Sequence, residues 1–151
     1  IEKQAFYRTL NQQAQALLEG EPDLIANLAN LSALLNQELA DINWVGFYLL
    51  QGETLVLGPF QGKPACVRIP VGRGVCGTAV AEGKTQLVDD VHQFMGHIAC
   101  DGASNSEIVI PLRRGGEIIG VLDVDSPIFN RFDQEDRIGL EETVQILESM
   151  L

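Results

Sequence analysis

Apolar residues recur every three or four positions as far as residue 39 and then alternate every second position, so the chain reads as helices followed by strands. Phe6, Leu10, Ala14, Leu17 and Leu18 make one helical stripe, which stops at Gly20. A second helix begins after the start signals Pro22 and Asp23 and continues the pattern through Leu24, Leu28, Leu31, Leu34, Leu35 and Leu39. Two strands follow at 44–51 and 54–60, joined as a hairpin across Gly52 and Glu53. A short strand is expected at 66–70, then a glycine-rich turn at 71–77 that feeds a short helix as far as Ala81, and another strand at 86–91. The stretch 92–106 has little periodicity and reads as a long loop. Strands at 107–113 and 117–126 form a second hairpin, and a last helix starts near Asp133 and carries Ile138, Leu140, Val144, Ile146, Leu147 and Leu151. Antiparallel strand pairs with helices at both ends describe one α+β domain over 1–151, a central antiparallel sheet with the N- and C-terminal helices packed on one face.

The alternation also sorts side chains into faces. Val45, Phe47 and Leu49 share one face of their strand as core, and Trp44 and Tyr48 share the other, where a ring body with a polar tip suits a small ligand. The competing reading packs both aromatics against the terminal helices. Within 119–125 the same rule puts Asp123 and Asp125 on one face about 7 Å apart, in a run that is otherwise apolar. Buried charge is costly unless paired, so these acids either meet a cation or keep a proton. The alternative makes them turn caps ahead of Ser126 and Pro127. A three-residue loop of Arg114, Gly115 and Gly116 sets Glu107 opposite Asp123 and completes a three-carboxylate cluster, whereas a two-residue loop of the glycines alone sends Glu107 to the other face.

The three cysteines, Cys66, Cys76 and Cys100, lie in stretches rich in glycine, proline or small polar residues, and an odd count rules out complete internal pairing. Cys76 falls in the first turn of its helix, where the dipole lowers a thiol's pKa. Cys100 lies in the long loop, three residues after His97, which could pair with it on a helical turn. The Gly72 to Gly77 stretch lacks the spacing and the Lys-Ser/Thr of a phosphate loop. A zinc site built from the three cysteines and a histidine has no CxxC pair to support it, so neither a metal nor a cofactor is expected.

Composition narrows the classes further. A net charge of −11 argues against a nucleic-acid partner, and no run is long and apolar enough for a membrane span. No secretory or transit segment is visible, and three thiols in a domain of this size suit a reducing cytoplasm, the expected compartment.

Trp44-Val45-Gly46-Phe47-Tyr48, Gly58-Pro59-Phe60-Gln61-Gly62, Ala65-Cys66, Arg68-Ile69-Pro70, Gly72-Arg73-Gly74-Val75-Cys76-Gly77, His97-Ile98-Ala99-Cys100, Ser104-Asn105-Ser106-Glu107-Ile108-Val109 and Gly120-Val121-Leu122-Asp123-Val124-Asp125-Ser126 together resemble the GAF-domain free methionine-(R)-sulfoxide reductases. The resemblance implies a GAF fold and reduction of free L-methionine-(R)-sulfoxide. It makes Cys100 the attacking sulfur, Cys66 the partner in a disulfide and Cys76 an alternative or relay thiol. Trp44 and Tyr48 would line the substrate pocket, with Glu107, Asp123 and Asp125 holding its polar groups; Glu107 and Asp125 are also the expected catalytic acids. Thioredoxin is the implied reductant, and the loop 92–106 is expected to act as a lid. The oligomeric state is left open, a homodimer included. The rival readings are a GAF module that senses a small molecule and a cysteine redox switch without turnover.

Overall fold

The computed structural model describes residues 2–96 and 103–151. Helix α1 spans Lys3–Leu18 and α2 spans Leu24–Glu38. Asp23 caps α2 as its sequence position suggests, its carboxylate accepting from Ala26 N at 2.8 Å. Then come β1 (Trp44–Gln51), β2 (Thr54–Gly62), β3 (Arg68–Pro70), α3 (Gly74–Glu82) and β4 (Gln86–Val88). A 3₁₀ turn at Val91–Gln93 leads towards β5 (Ser106–Arg114), β6 (Glu117–Ser126) and α4 (Gln134–Ser149). Two expected strands are shorter than their sequence patterns. The one at 86–91 gives way to the 3₁₀ turn, where the Asp90 carboxylate accepts from His92 N. The one at 66–70 loses its first two residues, so Cys66 lies ahead of the strand.

The six strands form one sheet in the order β3-β2-β1-β6-β5-β4, and each neighbouring pair is antiparallel. Alternation along the strands gives the sheet two cores. Val45, Phe47, Ile108, Ile110, Leu122 and Val124 face α1, α2 and α4. Trp44, Tyr48, Val109 and Val121 face the opposite way, towards Val75, Cys76 and Ala79 of α3. The reading that packed Trp44 and Tyr48 against the terminal helices is therefore overturned, because those helices cover the other face. Among the described residues, no helix is long and apolar enough to cross a membrane.

The first and last helices are joined through Asp136, which is 1% exposed. Its carboxylate accepts from Tyr7 Oη at 2.6 Å and pairs with Lys3 Nζ at 2.6 Å and an Arg131 nitrogen at 3.5 Å. The same side chain closes a capping box with Asp133 at the start of α4. Two cations and a hydroxyl thus compensate one buried charge, the condition under which burying it is tolerable. Just beyond, Gly139 lets α1 approach so closely that a Cβ there would stand 2.2 Å from Tyr7 Cγ.

This contact yields a test in which two effects of opposite sign compete. Gly139→Ala gains about 1 kcal/mol of helix propensity. Overpacking against a ring already fixed by Asp136 costs about 1–3 kcal/mol. Urea denaturation is expected to show a net loss on the order of 1 kcal/mol, and a gain would show that the Tyr7 ring yields.

Candidate active site

Register decides whether the acidic residues meet. The β5–β6 turn is the two-residue loop of Gly115 and Gly116, with Arg114 paired to Glu117. Both glycines have positive φ, +59° and +84°, as the favoured hairpin turns require of their central residues. The expected three-residue loop is therefore absent. A two-residue loop by itself would have put Glu107 on the wrong face, but the register shifts between Leu112, paired to Gly120, and Arg113, paired to Ile118. The extra residue, Ile119, makes a bulge that restores the parity. Glu107 consequently stands opposite Asp125 rather than Asp123, with Val109 opposite Asp123. On the other side of β6, Trp44 pairs with Asp125 and Gly46 with Asp123. Paired residues share a face, so Glu107, Asp123, Asp125, Trp44 and Tyr48 all project towards α3.

The aromatic wall is built by stacking along β1 and across to β2. Trp44 lies between Tyr48, at 5.9 Å between centroids and 25° between planes, and Phe60, at 5.1 Å and 15°. Phe60 has this place because it pairs with Gly46, where a Cβ would fall 2.2 Å from the Phe60 Cβ. Both polar tips are satisfied: Trp44 Nε1 donates to the Lys63 carbonyl at 3.2 Å and Tyr48 Oη to the Cys66 carbonyl at 2.8 Å.

Against this wall the three carboxylates are almost dry, Glu107 being 8%, Asp123 5% and Asp125 9% exposed. They are not caps on a strand running out into solvent. Burial, then the charge of Asp123, holds the Glu107 carboxyl well above the usual range. Asp123 is raised by burial and by the charge of Asp125. Burial and the neighbouring Asp123 likewise suppress ionisation of the Tyr48 phenol. The cluster must therefore hold protons near neutral pH, because three adjacent carboxylates in an apolar face cannot all ionise.

Cys76 belongs to the same cluster, 4.0 Å from Glu107 Oε2. It does sit in the first turn of α3, but the expected lowering of its pKa is reversed. Burial, followed by the charges of Asp123, Glu107 and Asp125, pushes the thiol up, since three carboxylates outweigh one short helix's dipole. Cys66 is half-buried beside the aromatic wall, ahead of β3. Cys100, His97 and the central part of the expected lid lie outside the described residues.

Two features escaped the sequence reading. Phe60 was legible as a strand residue, but its place in the stack depends on a β1–β2 register that shifts between Gly46 and Tyr48. The two ends of the loop are also tied together. Val91 N donates to the Asn105 carbonyl at 3.0 Å, His92 Nε2 lies 2.8 Å from Asn105 Oδ1, and Asn105 Nδ2 donates to the Pro127 carbonyl. No periodic pattern marks such a tie.

The raised carboxyls give a stability prediction with a definite sign. An acid that holds its proton more tightly folded than unfolded binds more protons in the native state, so stability falls as pH climbs from about 4 towards the folded-state value. Asp123→Asn removes one such group. Relative to the parent, the variant is expected to gain on the order of 1 kcal/mol more stability at pH 8 than at pH 5, read by urea denaturation. An equal difference at both pH values would show that Asp123 is ionised throughout.

Comparison with known proteins agrees with this architecture. The GAF domain family matches residues 25–151. The free methionine-R-sulfoxide reductase of Escherichia coli is 62% identical over 151 residues, covering 100% of this chain and 92% of that protein. Two solved structures superpose closely. The free methionine-R-sulfoxide reductase of Neisseria meningitidis in complex with its substrate has a TM-score of 0.96 at 47% identity, covering 99% of this chain and 90% of the other. The fRMsr of Staphylococcus aureus in complex with substrate has a TM-score of 0.93 at 59% identity, covering 96% and 95%. With the expected fold and cluster in place and relatives matched along nearly their whole length, the chain belongs to the GAF-domain free methionine-(R)-sulfoxide reductase family.

Proposed function

We propose that the protein reduces free L-methionine-(R)-sulfoxide to L-methionine, using thiols as the electron source. The observation that carries this reading is the meeting of Glu107, Asp123 and Asp125 beside the Trp44–Tyr48–Phe60 wall, the acids and the apolar surface that this substrate needs. Relatives crystallised with their substrate support the choice of ligand.

A sulfoxide sulfur is electrophilic, but its oxygen departs only if protonated, so the reaction needs a thiolate on one side and an acid on the other. A carboxyl that keeps its proton at neutral pH is suited to the second task; Glu107, held above the usual range, is one proposed donor, and Asp125, paired opposite it, is the other. An ionised member of the cluster pairs with the substrate's ammonium, which exists on a free amino acid and is lost in a peptide. A peptide-bound residue would leave that buried carboxylate without its partner, so the site selects the free amino acid. The methyl thioether end rests on the aromatic wall.

Cys100 is the proposed nucleophile. Cys76 suits that role poorly, because neighbouring negative charge keeps it a thiol. Attack of the Cys100 thiolate with protonation of the oxygen releases methionine and leaves a sulfenic acid on Cys100. Cys66 then condenses with it, forming a disulfide and water, with Cys76 as the alternative relay. The sum is one sulfoxide and two thiols converted to one thioether, one disulfide and one water. A dithiol reductant of the thioredoxin class restores the pair.

Single-turnover release of methionine tests these assignments. The reduced protein should release methionine from the free R epimer and from neither the S epimer nor the N-acetylated R form. Cys100→Ser should abolish the release. Cys66→Ser should retain the first turnover and lose recycling by at least ten-fold. Asp125→Asn and Glu107→Gln should each lower the single-turnover rate by about 10²-fold or more. Release by Cys100→Ser at the parent rate would move the nucleophile elsewhere.

A further inference from the structure

We infer that Tyr48 is a positioning residue for Cys66, its hydroxyl holding the backbone beside that thiol in the place where the disulfide closes. This role is additional to the ring's part in the pocket wall and rests on the reductase reading. Cys66 lies in the irregular connection 63–67 between β2 and β3. Gly62, at the end of β2, has a φ of +142°, and a Cβ on it would stand 2.5 Å from Trp44 Cδ1, so the backbone leaves the strand pressed against the indole. Pro64 then has no N–H to offer a neighbouring strand. Val67 is tied back to β2 by its carbonyl, which accepts from Leu57 N at 2.9 Å. Between Gly62 and Val67 the connection is held by side chains of the aromatic wall: Trp44 Nε1 donates to the Lys63 carbonyl at 3.2 Å, and Tyr48 Oη to the Cys66 carbonyl at 2.8 Å.

The Tyr48 contact is the one that bears on the thiol. A disulfide needs its two Cα atoms about 4.4–6.8 Å apart. The carbonyl carbon of Cys66 is bonded directly to its Cα, so a hydroxyl that fixes the carbonyl oxygen also restricts the Cα. Tyr48 can serve as a fixed post because it is 2% exposed and stacked on Trp44. Burial and the charge of Asp123 keep the phenol protonated, so the donor is always present. Its one proton is committed to Cys66, which leaves delivery to the sulfoxide oxygen to the carboxyls. Cys66 is disulfide-bonded in this structure and Cys76 is free, so the contact belongs to the closed state. In the step it assists, the Cys66 sulfur attacks the Cys100 sulfenic acid. The S–S bond forms, the S–O bond breaks, and the oxygen leaves as water with the thiol's proton.

Equilibrium with glutathione tests this without any sulfoxide. In a Cys76→Ser background the remaining thiols are Cys66 and Cys100, and one oxidised glutathione converts them to a disulfide with release of two reduced glutathiones. The oxidised fraction across a series of glutathione ratios, read by gel shift after thiol alkylation, gives the effective concentration of the pair. Tyr48→Phe keeps the ring and removes the hydroxyl. Losing one neutral hydrogen bond from the closed state is expected to lower the effective concentration by about three- to ten-fold. Tyr7→Phe removes a buried hydroxyl from the other core of the sheet and is expected to leave it unchanged, which separates positioning from a general loss of stability. Far-ultraviolet circular dichroism shows that each variant is folded. The inference is overturned by a parental value in Tyr48→Phe, by an equal fall in Tyr7→Phe, or by a parent that forms no such disulfide. The first two results leave the reductase reading intact, whereas the third also removes the resolving role of Cys66.

Discussion

Confinement of three carboxyl groups and a thiol to one dry face of the sheet governs everything else about this protein's chemistry. In water each acid would ionise independently. Here desolvation and mutual repulsion make protonation a property of the group, so that Glu107 and Asp123 hold protons at a pH where ordinary carboxyls have lost them. The same field keeps Cys76 protonated. The proposed reaction asks the site to deliver a proton to a poor leaving group while binding an ammonium, which needs both protonation states of the same functional group within a few ångströms.

The sheet makes that crowding affordable by using its two faces differently. Val45, Phe47, Leu122 and Val124 pack under three helices and supply a conventional core. The opposite face carries the acids and, among the described residues, is covered by the short helix α3 together with Val91 and Phe94. Packing is concentrated on one side and the candidate site lies on the other. Alternating side chains separate the two without any break in the backbone.

Much of this was legible in the sequence because period and polarity agree with the fold. The helices, the hairpin strands, the sorting of Trp44 and Tyr48 from Val45 and Phe47, and the sharing of one face by Asp123 and Asp125 all follow from counting by two or by three and four. The partner of Glu107 did not follow. It depends on the parity of the β5–β6 connection, and two departures from the expected geometry, a shorter turn and a bulge at Ile119, cancel. Neither leaves a mark in hydrophobic patterning. The sign of the shift at Cys76 was missed for a related reason, since local sequence shows the helix terminus but not the carboxylates brought against it from strands more than 30 residues away. The place of Phe60 beside Trp44 likewise needed a register that sequence leaves open.

The Tyr7–Asp136 bond spans 129 positions of the chain and joins its first helix to its last. During synthesis at about 5–20 residues per second, α1 therefore waits several seconds or more for α4 to emerge from the ribosome. In that interval Leu10, Ala14 and Leu18 lack the partner helix that will cover them. The nascent polypeptide is thus open to chaperone capture until α4 has been translated.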